Sequence, residues 1–376
     1  MASQLFESFA EHFQELQDPR SREGLHEFDD ILFLATCATI AGADGPSDIE
    51  EFGHHQIVWL RRYIGLANGI PSHDTIGRVF ELIKPNKFQE AFLNWIHSFR
   101  LDEPSSGELT TLAIDGKTER GSRTADKNPL HVVSAWATEY GLSLGQKAVD
   151  SKSNEITAIP ELLQTLELRG KIVSIDAMGC QKEIAKNIVQ DGGEYCLAVK
   201  ENQPKLFEAI EAFFENVADD EQAASDCRQH ETNERSRGRE EYRHYMIAKL
   251  PNAMSEFKKY WHNLTSIGRC LTMVEREGKE TVEVRYYILS IEPKVKTFAK
   301  SVRDHWGIES MHWIMDVVFQ SDASRIHRGH GVENFGFLRR FVISLLKQDT
   351  SRASLKCKRK KAAWDTNYLE KLLQTT

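Results

Sequence analysis

Residues 171–200 read KIVSIDAMGCQKEIAKNIVQDGGEYCLAVK. KIVSI is a short apolar run that stops at an acid, Asp176. QKEIAKNIVQDGG reads as a helix, and EYCLAVK is a second compact apolar run. Strand, helix and strand in that order are the unit of an α/β sheet.

The pattern extends in both directions. Upstream, LTTLAIDG (109–116) is another apolar run ending in an acid, Asp115. HVVSAWATEYG and LSLGQKAV predict a hairpin turning at Tyr140-Gly141, and EITAIPELLQTLEL predicts an amphipathic helix. Downstream, QPKLFEAIEAFFENV predicts a helix, and the polar residues 218–240 predict a surface excursion. EYRHYMIAKL, SIGRCLTMVEREG and TVEVRYYILSI then return to strand-like alternation. Before all of this, residues 3–100 are mostly helical in pattern, with Ser72 as an N-cap, and LDEPSSGE (101–108) is a turn-rich linker. The expected fold class is therefore α/β: a mixed sheet flanked by helices, interrupted by a β-rich insertion and preceded by an all-helical N-terminal region.

RDHWGIESMHWIMDVVFQSD (303–322) predicts a helix with two unlike faces. At about 100° per residue, His305, His312, Trp313 and Asp316 fall within about 60° of Glu309, while Ile308, Met311, Ile314, Met315 and Val318 take the other side. The apolar face packs, so the polar stripe faces a site. Asp115 and Asp176 terminate strands of one sheet, where open α/β sheets place ligands. Two acids there require a counter-charge, for which a divalent ion with oxygen ligands is suited, and Glu309 on a nearby helix would complete a two-metal site. An Asp after a strand is also a common turn former, His-x3-Glu-x2-His can serve zinc or di-iron, and Trp306 and Trp313 can pack as well as stack on bases.

Composition narrows the class. With 40% hydrophobic and 28% charged residues the chain is an ordinary globular one, and no run of about 18 apolar residues could span a bilayer. MASQLFESFAEHFQEL carries acids where a signal peptide would be basic, so a cytoplasmic location is expected, with no membrane partner. Six scattered cysteines lack zinc spacing and predict reduced thiols. The net charge of -8 hides an asymmetry: residues 1–100 balance to -7 and residues 296–361 to +8. The basic part holds Arg303, Arg325, Arg328, Arg339 and Arg340 and the tail SRASLKCKRKKAA. On charge alone, a solvated surface and the binding of a polyanion are equally open readings. IPSHDTIGRVFEL could place Thr75 and Arg78 of a helix-turn-helix on DNA, although the acidic balance there suits a dimerisation or scaffold role equally.

AIDGKTERGS, SIDAMGCQKEIAKNIVQDGGEYCLAVKENQPKLF and RDHWGIESMHWIMDVVFQSDASRIHRG together resemble the H-repeat-associated insertion-sequence transposases, members of the DDE superfamily with a ribonuclease-H-like core. The resemblance extends over nearly the whole chain, including DPR near the start and GREEYR further on. It implies that Asp115, Asp176 and Glu309 are catalytic and bind Mg2+, for which Mn2+ can substitute. It also implies metal-dependent cleavage and strand transfer of the element's DNA ends, with double-stranded DNA (terminal inverted repeats and target) as partner and a homodimer on that DNA. Many related transposases frame the glutamate as Tyr-x2-Arg-x3-Glu-x6-Lys, whereas Val302, His305 and Asp316 stand here. Arg303, His305 and His312 could then supply the DNA contacts, with Asp316 an auxiliary ligand. A nuclease or resolvase that cuts without joining, and an inactive DNA-binding relic, are the alternatives. The expected division is 1–104 helical (DNA-end binding or dimerisation), 105–200 first part of the core, 201–295 β-rich insertion, 296–350 catalytic helix and rest of the core, and 351–376 basic tail.

Overall fold

The computed structural model describes residues 2–22, 24–98, 108–126, 128–149, 155–219, 226–236 and 238–374. The linker expected at 101–108 lies outside them except for its last residue.

Five helices open the chain: α1 (Ala2–Phe13), α2 (Phe28–Ile40), α3 (Pro46–Leu60), α4 (His73–Leu82) and α5 (Pro85–His97). FDDILFLATCATI of α2 is apolar on nearly every side, and a helix of that kind belongs inside; all but one of its residues are buried. Ser72 caps α4 as expected, its side chain accepting the Thr75 N–H.

The sheet comprises β1 (Thr110–Glu119), β2 (Leu130–Ala137), β3 (Leu142–Val149), β4 (Lys171–Ile175), β5 (Glu194–Val199), β6 (Arg228–Ser236), β7 (Arg239–Lys249), β8 (Ser266–Arg276) and β9 (Lys279–Leu289). The helices that follow the hairpin are α6 (Glu155–Leu163), α7 (Lys182–Gln190), α8 (Pro204–Asp219), α9 (Val295–Val317), α10 (Gly331–Gln348), α11 (Leu355–Trp364) and α12 (Thr366–Leu373). The strand order is β3-β2-β1-β4-β5-β9-β8-β7-β6, with β1, β4 and β5 parallel and the other pairings antiparallel. This is the α/β mixed sheet expected from the strand pattern, with the ribonuclease-H-like core that the resemblance implies.

Alternation along β1 divides the core. Leu112 and Ile114 join Ala158, Ile159, Leu162, Ile184 and Ile188 of α6 and α7 on one face. Ala113 faces the other way and joins Ile308, Met311 and Met315 of α9. That second core also takes in the N-terminal helices. α10 runs through its middle, buried at every residue from Asn334 to Leu346, and the rings of Trp95 and Phe341 lie 4.8 Å apart.

The strands expected as a β-rich insertion are antiparallel, as expected, and β9 pairs with β5 from Cys196↔Leu289 to Val199↔Tyr286, so they extend the core sheet. Two expectations are corrected. The polar stretch expected as a surface excursion forms β6 and the start of β7 where it is described, with residues 220–225 and 237 outside the described set. RQHETNERS has few core-formers because β6 is the edge strand, where polar side chains are tolerated on both faces. The basic tail is also no tail. α11 and α12 pack on the N-terminal helices, with Leu369 and Leu372 in the shared core, and Arg359 reaches inward to the carbonyls of Thr39 and Ala43 and to Asp44. Among the described residues no helix is long and apolar enough to cross a membrane.

Candidate active site

β1 and β4 run parallel with Ile114 opposite Ile175, and the next residue of each strand is an acid. Asp176 follows directly on the carboxyl end of β4, whereas Asp115, expected to terminate its strand, lies inside β1, which runs on to Glu119 paired with β2. The two acids meet where the β1–β4 pairing stops, at the edge where such a sheet takes a ligand. α9 crosses the same region. It buries Ile308, Met311 and Met315 on one side, and its other stripe carries His305, Glu309 and His312, with the buried Val302 beside them lining the same cavity as His305 and Glu309. Asp176, His305 and Glu309 line one cavity of about 180 Å3.

Electrostatics couple the three acids. Burial by itself pushes the Asp115 carboxyl up, but His312, whose Nδ1 stands 3.4 Å from Asp115 Oδ2, and the nearby His305 more than offset it, so this group lies below the usual carboxylate range. Asp176 is raised, first by burial and then by the negative charge of Asp115. Glu309 is raised in the same order of causes, partly offset by Arg285. Asp176 also forms the turn that the bland expectation assigned to it: Oδ1 accepts from the N–H groups of Met178 and Gly179 at 3.0 and 3.3 Å.

The donor set suits a hard divalent cation, being carboxylate oxygens that repel one another. His305 Nδ1 and His312 Nε2 are also buried there without a hydrogen-bond partner among the described residues. As the side chains stand, no three His, Cys, Asp or Glu among the described residues are gathered closely enough to hold one ion. The site fits a cation in chemistry, and closing on one requires the side chains to draw together.

Asp316 is not an auxiliary ligand in this arrangement. Lys117, two residues after Asp115, places Nζ 2.8 Å from Asp316 Oδ1 and 3.3 Å from both Glu119 Oε2 and Asp322 Oδ1. Glu119 in turn accepts from Arg340 at 2.9 Å and from Ser321 at 2.6 Å. Sequence reasoning passed over Lys117 and Glu119. Their signal was two charges spaced i, i+2 on a strand otherwise buried, a pattern that requires partners inside the fold.

The basic residues divide into two groups. Arg325 and Arg328 are exposed and share a cleft with Arg78 of α4. Arg339 and Arg340, expected against DNA, are instead buried: Arg340 is 0% exposed between Glu119 and Gln146, and Arg339 donates to the Asp44 carbonyl at 2.7 Å. The reason is their position on α10, which is enclosed on every side. Arg303 is bound by the Glu234 carboxylate of β6 through two 3.1 Å contacts, and His305 and His312 face the acids. Trp306 lies under the Arg285 guanidinium at 5.1 Å, whereas Trp313 is 61% exposed on the Glu309 side of α9.

Comparison with known proteins agrees with this architecture. Residues 106–346 match the family described as Transposase DDE domain, and residues 10–96 match its associated region, DDE_Tnp_1-associated. The chain is 41% identical over 361 residues to "H repeat-associated putative transposase YhhI" of Escherichia coli (strain K12), covering 93% of this chain and 92% of the relative. It is 42% identical over 358 residues to "Putative transposase YncI" of Escherichia coli O157:H7, covering 93% and 89%. A solved piggyBac transposase synaptic complex with hairpin DNA is a looser likeness, at 11% identity and a TM-score of 0.44 over 99% of this chain and 78% of that one. A domain match spanning the acid-bearing sheet and α9, together with relatives aligned over nine-tenths of the chain, shows that it belongs to the H repeat-associated transposases of the DDE family.

Proposed function

We propose that this transposase cuts the DNA ends of its own element and joins them to a target, with Asp115, Asp176 and Glu309 as its catalytic acids. The observation that carries this reading is their coupling: two acids on neighbouring parallel strands and one on α9, with the charge of Asp115 raising both of the others. These three would hold Mg2+, or Mn2+ in its place. When bound, such ions activate an attacking oxygen and stabilise a leaving one.

The chain's own residues do the remaining work. His312 keeps Asp115 ionised, α9 brings Glu309 to the strand ends, and Arg325 and Arg328 supply surface charge for phosphates of the terminal repeat and the target. The N-terminal region, residues 1–104, serves DNA-end binding or dimerisation, and the protein works as a homodimer on double-stranded DNA. The deciding experiment incubates purified protein and magnesium with a duplex carrying the flanking inverted repeat, and scores nicking and the joining of a pre-cut end. Cutting and joining are expected together. Cutting without joining would instead make the protein a hydrolytic nuclease.

A further inference from the structure

The cavity beside the acids is lined by two cations as well as by Asp176 and Glu309. Lys200 follows directly on β5, and Arg285 lies near the end of β9, the strand paired with β5. The two therefore come from neighbouring strands and reach the same space of about 180 Å3. Lys200 is exposed and has no ion-pair partner among the described residues. Arg285 is held in place: its guanidinium makes 2.7 and 3.0 Å contacts to the Glu283 carboxylate and lies 5.1 Å over the Trp306 ring.

α9 lends no lysine or arginine to the same space. Val302 is buried, Asp316 is taken by Lys117, and Arg303 is turned away to Glu234. A phosphodiester entering among carboxylates brings another negative charge and needs positive donors on the far wall. Glu283 already takes Nε and Nη2 of Arg285, so Arg285 contributes a positive charge fixed in orientation, and the free Lys200 ammonium adds a mobile one.

We infer that Lys200 and Arg285 form the phosphate-binding pair of this active site, taking the non-bridging oxygens of the DNA phosphodiester beside Asp176 and Glu309. The inference rests on the transposase reading and adds the wall of the site that the catalytic acids leave unassigned.

The test compares binding of two duplexes of the DNA flanking the gene, one natural and one with a neutral methylphosphonate at the element end. Wild type is expected to bind the neutral linkage about tenfold more weakly, the scale of a charge-assisted hydrogen bond. Lys200→Gln and Arg285→Gln are each expected to lose most of that discrimination, and Lys200→Arg to retain it. On the natural duplex the slope of log affinity against log salt should become shallower by about 0.9 for each cation removed. Lys200 is exposed, so its variants keep the test open even if Arg285→Gln fails to fold. Undiminished discrimination by both glutamine variants overturns the phosphate assignment and leaves the transposase reading standing. A wild type that prefers neither duplex over one of scrambled sequence overturns both.

Discussion

Lys117 Nζ lies 2.8 Å from Asp316 Oδ1, so the strand that presents Asp115 and the helix that presents Glu309 are tied by a lysine that is 7% exposed. Asp316 is about two helical turns beyond Glu309. The pair therefore fixes how far α9 slides along β1. Lys117→Met removes the cation shared by Glu119, Asp316 and Asp322, and breaking a buried pair from one side costs about 3–5 kcal/mol. Thermal unfolding should show the loss. The double variant Lys117→Met, Asp316→Leu should recover part of it, and a double variant no more stable than the single would show that Asp316 is not the partner that matters.

Glu119 gives the network a pH signature. Burial alone would raise its carboxyl, but Arg340, then Lys117 and the Ser321 hydroxyl, hold it at about 2 against an ordinary 4.5. The folded state binds this proton less readily than the unfolded chain. Its contribution is therefore complete above about pH 4.5 and is lost as pH falls toward 2, amounting to about 3 kcal/mol. Denaturant unfolding between pH 5 and 2.5 should show stability falling with acid, and Glu119→Gln should flatten that part of the slope. An unchanged slope in the variant would assign the acid sensitivity to other carboxylates.

The two arginine groups should separate cleanly. Arg325→Ala and Arg328→Ala, on exposed side chains, should each make the salt dependence of DNA binding shallower by about 0.9 and leave the melting temperature within a degree or two. Arg340→Ala exposes the opposite phenotype: it strands Glu119 in the core and should cost about 3–5 kcal/mol in stability. A gel-shift salt series and a thermal melt on the same preparations distinguish the two groups. If Arg340→Ala melted like wild type while binding DNA poorly, the buried placement would not describe the working protein.

On the proposed reading, in which one acid site serves both steps, Glu309→Gln should reduce end cleavage and the joining of a pre-cut end alike, on the order of a thousandfold or more. Binding of the end duplex should persist. Normal joining by this variant would remove Glu309 from the catalytic set.

How much of this was legible in the sequence follows from what each residue type signals locally. Asp115 and Asp176 stood out because an acid ending a β-branched run is visible without tertiary knowledge, and the two-faced helix around Glu309 was visible from its periodicity. Arg339 and Arg340 were not placed correctly because two adjacent arginines look like surface charge. Their partners, Glu119, Gln146 and the Asp44 carbonyl, lie far away in the chain and become apparent only when α10 is enclosed. β6 was missed for a related reason: an edge strand needs no hydrophobic face, so RQHETNERS carries little strand signal of its own. The cations at the acid cavity, Lys200 and Arg285, meet through the pairing of β5 with β9, which no local pattern announces.

Gly307 shows how closely α9 must approach the sheet for Glu309 to arrive where it does. It sits in the interior of the helix, where alanine would be favoured by about 1 kcal/mol on propensity alone. A Cβ at this position, however, would lie 2.4 Å from Thr138 Cγ2 and 2.6 Å from Thr138 Oγ1, and that hydroxyl is already committed to the Asp304 carbonyl at 2.7 Å. Thr138 is short and β-branched, so it has little freedom to move aside. Gly307→Ala should therefore push α9 off the strand ends, costing about 1–3 kcal/mol as overpacking does, and lowering cleavage more than it lowers DNA binding. Thr138→Ala placed in the same chain clears both contacts and should restore stability and cleavage together. If Gly307→Ala is instead more stable and fully active, helix propensity outweighs the clash, and the close contact with Thr138 is not what sets the position of Glu309.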